Sequence, residues 1–101
     1  MKSEFKASLW VNGLSVALNP FVEEFLARTV TGAVSSLKGA EDIRRLELYL
    51  ERGDVSIIVN GNELSLTPFP KDIIASTVTG LVSSLKGIGR IERLKVNVRV
   101  L

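Results

Sequence analysis

The chain has 101 residues, 46% of them hydrophobic and 24% charged, with 13 lysines and arginines against 11 acids. That is one domain's worth of protein, able to bury a core without staples, and no apolar run approaches the roughly 20 residues of a membrane span. Cysteine and histidine are both absent, which excludes disulfides, thiolate and imidazole metal sites, Fe–S clusters, cysteine nucleophiles and histidine-dependent triads.

The first predicted elements are two strands around Asn12-Gly13. A two-residue type I′ turn needs positive φ at both positions, which this dipeptide tolerates, and it places Leu9, Val11, Leu14, Val16 and Leu18 on one face. Asn19-Pro20-Phe21 then reads as a cap residue followed by proline at the first helical position. The helix is expected to run to Lys38, with Gly39 as its left-handed stop. Its apolar arc is wide: Phe21, Val22, Phe25, Leu26, Val30 and Leu37 span half the helical wheel, with Thr29, Gly32 and Ser36 among them. Small residues permit close backbone approach, so each helix is expected to touch both the sheet and the other helix. Alternation of Leu46, Leu48 and Leu50 marks a third strand. Glu51-Arg52-Gly53-Asp54 is too short for anything but a tight reversal.

The same order then recurs. Ile57, Val59, Leu64 and Leu66 flank Asn60-Gly61, Thr67-Pro68-Phe69 opens a helix to Lys86 and Gly87, and Leu94, Val96, Val98 and Val100 mark a last strand. Residues 7-53 align without a gap on residues 55-101 at an offset of 48, with 21 of 47 pairs identical. Two copies of so short a unit imply one closed domain, residues 1-101, with a shared core. The expected fold is therefore α+β: two tandem β-β-α-β repeats forming one pseudo-two-fold domain. A mainly antiparallel sheet of about six strands would carry two helices on one face.

Candidate functional residues fall in two groups. Trp10, Tyr49 and Ile58 lie on the strand face away from the core leucines, as a self-association patch or as a platform for RNA bases beside Lys6, Arg45, Arg93, Lys95 and Arg99. Glu47 and Glu51 on the same face favour a protein partner over nucleic acid. Thr31, Ser35 and Lys38 recur as Thr79, Ser83 and Lys86 on the outward side of the helix, and could form a pair of small-ligand or partner sites. Recent duplication, or pairing of lysine with the helix C-terminal dipole, explains them as well. Gly87-Ile88-Gly89 matches the hairpin of helix-hairpin-helix motifs, but a strand follows it; Arg52-Gly53-Asp54 reads as a turn. The carboxylates form no paired constellation that repeats between the halves.

The sequence pI near 9.2 rests on a net charge of only +2, which is not the stripe of a dedicated DNA binder. Met1-Lys2-Ser3-Glu4-Phe5-Lys6 lacks the apolar stretch of a signal peptide, so a cytoplasmic protein is expected. Glutamine is missing and Met1 is the only methionine, a composition that points to a heat-adapted source.

Val11-Asn12-Gly13, Leu18-Asn19-Pro20-Phe21-Val22 and Gly32-Ala33-Val34-Ser35-Ser36-Leu37-Lys38-Gly39 resemble short uncharacterised archaeal proteins that carry one such unit. The resemblance implies that single-unit relatives form homodimers, which this chain mimics by fusion, and it supplies no activity. The expected function is a small non-enzymatic structural or protein-interaction module that self-associates, without cofactor or metal. Weak RNA or single-stranded nucleic-acid binding through the outer sheet face is the alternative.

Overall fold

The computed structural model describes residues 4-101. Strand β1 (Phe5–Val11) and the short β2 (Leu14–Val16) form the first hairpin, and α1 (Pro20–Ser35) crosses to β3 (Arg45–Glu51). Strand β4 (Asp54–Val59), the two-residue β5 (Asn62–Glu63), α2 (Pro68–Ser83) and β6 (Arg93–Val100) complete the chain. All six strands belong to one antiparallel sheet in the order β2-β1-β6-β3-β4-β5.

The expected turns form as read. Asn12 and Gly13 have φ of 52° and 84°, and Asn60 and Gly61 have 52° and 86°. Each asparagine also clamps the loop that follows a helix. Asn12 Oδ1 accepts hydrogen bonds from the Glu92 and Arg93 amides while its Nδ2 donates to the Arg90 carbonyl. Asn60 treats Arg44, Arg45 and Asp42 in the same way. Glu51 pairs with Asp54 across the Arg52-Gly53 turn, so β3 and β4 form the expected reversal.

Alternate strand residues face the helices. Leu9, Val96, Leu48 and Ile57 lie side by side across four strands, each almost wholly buried. Leu26, Ala27, Val30 and Val34 of α1, with Ile74, Ala75, Val78 and Val82 of α2, close over them in one core. No side chain among the buried ones is polar or charged. Burial of this kind contributes roughly 1.5–3 kcal/mol per large aliphatic side chain, which is the main force holding the helices to the sheet.

Three local expectations are corrected. Both helices stop at Ser35 and Ser83, three residues short of Lys38 and Lys86, because the chain tightens: the Leu37 amide bonds to the Val34 carbonyl and the Leu85 amide to the Val82 carbonyl. Gly39 and Gly87 do adopt left-handed φ, but beyond the cap. Leu14, expected inside, is 73% exposed at the end of a short edge strand.

The third correction concerns the helices. Helix α1 packs over β1 and α2 over β4, and β6 and β3 lie between those strands. The two interposed strands keep the helices from packing along their whole length, and they approach closely only over a short stretch. They therefore meet at one flank, around an apolar hollow of about 160 Å³ lined by Phe21, Val22, Phe25, Leu26, Leu81 and Leu85. Thr29, Gly32 and Ser36 form no seam: Gly32 and Gly80 are exposed, with nothing within 4 Å of an added Cβ. Replacing either glycine by alanine should therefore raise stability by roughly 1 kcal/mol through helix propensity alone. Chemical denaturation of each variant measures this, and a loss would mean that the helices do meet there.

Candidate interaction surfaces

The open side of the sheet carries the outward-facing strand residues. Lys95 on the central β6 lies directly opposite Trp10 of β1 and Tyr49 of β3. Its ammonium stands 4.9 Å from the Trp10 ring centroid and 5.4 Å from that of Tyr49, an arrangement worth about 0.5–1 kcal/mol at an exposed site. The three side chains line a shallow depression of about 320 Å³ with Glu51 and Arg93. The Tyr49 hydroxyl also donates to Glu47 at 3.3 Å. Trp10 and Tyr49 are thus brought together, but with a cation between them. Ile58 stands apart, between Glu47 of β3 and Glu63 of β5, and is half-buried.

At the other end of this face, Lys6, Arg99 and Arg45 are direct cross-strand neighbours on β1, β6 and β3. All three are exposed. None takes part in the three salt bridges among the described residues, which join Arg28 to Glu4, Arg28 to Glu24 and Lys71 to Asp54. Like charges side by side on a sheet repel. The register that creates this row joins strands from distant parts of the chain, so residue spacing alone could not reveal it.

The repeated helix residues are less available than their positions suggest. Ser35 and Ser83 are exposed, but each hydroxyl donates to the carbonyl of its own helix's glycine, at 2.8 and 3.0 Å. Thr31 and Thr79 are half-buried, and the Thr31 hydroxyl is enclosed without a hydrogen-bond partner. Lys38 and Lys86 project beyond the helix ends. The structure does not gather the six into a common site.

What the helices do present outward is apolar. Phe21 and Phe69 are 73% and 72% exposed, Phe25 and Ile73 49% and 50%, and the Phe21 and Phe25 rings lie 5.9 Å apart. On the wheel, Phe21, Phe25, Thr29, Gly32 and Ser36 fall within about a quarter of the circumference, opposite the buried side. That arc holds no charge, and neither does the corresponding arc of Phe69, Ile73, Thr77, Gly80 and Ser84. The wide apolar arc includes these phenylalanines; what sets them apart from the core is their angular distance from Ala27, Val30 and Val34.

Among the described residues no group of three histidine, cysteine or acidic side chains could hold a metal ion, and no helix is long and apolar enough to cross a membrane. One carboxyl stands out electrostatically. A hydrogen bond from Lys71 at 2.8 Å, together with its charge, holds the Asp54 carboxyl below its ordinary value of 3.8. A depressed folded-state pKa means that the pair's stabilisation is present above the unfolded value and lost as pH falls through the lower folded one. In Lys71→Met, Asp54 should titrate nearer 3.8, as followed by NMR of its carboxyl carbon; an unmoved midpoint would deny Lys71 this role.

No family model, curated protein or solved structure matches this chain.

Proposed function

We propose that this protein is a non-enzymatic interaction module that self-associates through the solvent side of its two helices, as an internally duplicated pseudo-two-fold domain. The observation that carries the reading is the exposure of Phe21, Phe25, Phe69 and Ile73 on helix arcs that hold no charge of their own and are bordered by the Arg28–Glu24 ion pair. An aromatic side chain covers about 150–250 Å² when buried, so these four leave on the order of 400–500 Å² of apolar area to water. Spread over the two helices, that matches in size the largest apolar patch of a typical monomer, about 300–600 Å² and often functional, and is over half of the roughly 800 Å² per partner in a standard interface. A second copy is the occupant that supplies matching charge-free arcs, with phenylalanines to set against Gly32 and Gly80, where nothing else stands.

The register supports the duplication. Leu9 pairs with Val96 and Leu48 with Ile57; moving each partner by 48 residues turns one pair into the other. On the central β3–β6 pair, Arg45–Arg99 converts in the same way into Glu51–Arg93. Exchanging the halves reverses the sheet order onto itself. This is the geometry that a homodimer of single units would have before fusion. The cysteine-free composition fits a cytoplasmic site of action.

Changing Phe21 and Phe69 together to serine should convert a dimer to a monomer in sedimentation or light-scattering measurements, with the far-UV spectrum retained. A parent that is monomeric at high micromolar concentration would refute self-association, and a double variant that remains dimeric would move the contact to another surface.

A further inference from the structure

We propose that the open face of the sheet binds single-stranded nucleic acid, with phosphates on the Lys6–Arg99–Arg45 row and bases on the Trp10–Tyr49 end. The inference does not rest on helix-mediated association, which uses the opposite side of the molecule.

Charge is the first ground. Strands β1, β6 and β3 display five cations outward, Lys6, Arg45, Arg93, Lys95 and Arg99, against the two acids Glu47 and Glu51. The acids are not mixed evenly among them. Glu51 lies opposite Arg93, six residues or about 20 Å along β3 from Arg45. Asp54, at the same rim, is engaged by Lys71 of α2. Only Glu47 adjoins the basic row, and its carboxylate accepts the Tyr49 hydroxyl.

The second ground is that the repulsion within the row is offset on this face by the single carboxylate of Glu47. Lys6, Arg99 and Arg45 are direct neighbours, joined by Arg44 at the end of the sheet. Two hollows flank the row, of about 320 and 540 Å³, and Arg45 and Arg99 line both. The positions related to Lys6 and Arg99 by the 48-residue offset hold Asp54 and Glu51. Core residues are shared between the halves, yet the charge at these exposed places is reversed. An extended polyanion laid across the strands would neutralise the row.

The third ground selects nucleic acid among polyanions. Four residues along β1 from Lys6, about 13 Å, the Trp10 and Tyr49 rings stand on the same face beside Lys95. Asn97, between the two ends on β6, has a carbonyl oxygen enclosed without a hydrogen-bond partner. A sheet face with aromatic side chains, an amide and flanking cations is the combination that stacks unpaired bases while holding their backbone. A duplex hides its base faces from such a surface.

The test uses the full chain and an oligothymidylate, with Trp10, the sole tryptophan, as reporter. Expected are quenching of Trp10 fluorescence, an affinity on the order of 10–100 µM, and log Kobs falling with log salt at a slope of about −2, for some three phosphates neutralised. Lys6→Gln/Arg45→Gln/Arg99→Gln should lose about tenfold or more in affinity and flatten the slope towards zero. Lys38→Gln/Lys86→Gln, on the helix side, should change neither. Far-UV circular dichroism verifies that both variants are folded, and Trp10→Phe/Tyr49→Ser, read with labelled oligonucleotide, should also weaken binding with the slope kept. The proposal is overturned if the parent does not bind, if the triple charge variant binds with an unchanged slope, or if duplex DNA, inorganic polyphosphate or an acidic peptide binds as tightly as the single strand.

Discussion

The pairing of β3 with β6 at the centre of the sheet is the constraint from which the rest of this structure follows. Each of these strands ends one half of the sequence, and each is flanked on its other edge by the first strand of the opposite half. Neither half could bury Leu48 or Val96 alone, because the side chains beside them come from the other half. The same pairing sets the distance between β1 and β4, and so between the helices that sit on them. With two strands interposed, the helices meet only at one flank and leave much of their outer arcs uncovered. Phe21 and Phe69 stay in water as a geometric consequence.

The two broad surfaces of the molecule then differ in chemistry. The helix side offers an arc of phenylalanine, isoleucine, glycine and small hydroxyl residues, bordered rather than interrupted by charges such as Arg28, a composition suited to dry contact. The sheet side offers cations in rows, a cation between two aromatic rings and an orphaned amide oxygen, which suits a wet, polar ligand. Substitution between the halves follows this division. Leu46 and Leu94, Val30 and Val78, and Val34 and Val82 are unchanged pairs in the core, while Glu47 and Lys95, and Glu51 and Arg99, are reversed in charge outside it. Packing restricts the first group to similar volumes; the second, on the surface, is free of that restriction.

Much of the architecture was legible because it is encoded locally. Asn12-Gly13 and Asn60-Gly61 specify their turn by backbone conformation, Asn19 caps α1 by accepting the Val22 amide, and strand alternation separates Leu46, Leu48 and Leu50 from Glu47, Tyr49 and Glu51. What a sequence pattern does not contain is distance between elements. The helical wheel joins Phe21 and Phe25 to the apolar arc without indicating how much of that arc the second helix covers. Strand alternation puts Lys6, Arg45 and Arg99 on the outer face, but they are remote in sequence and become direct neighbours only through register. Trp10 and Tyr49 were correctly placed on the outer face, but Lys95 between them, and the separation of Ile58, depended on the same register.

The central claim is that the two halves have no independent core, and a fragment of residues 1-53 tests it most directly by NMR and sedimentation. The account predicts that the fragment is disordered as a monomer, or dimerises to rebuild the six-stranded sheet. A dispersed spectrum from a monomeric fragment would contradict it.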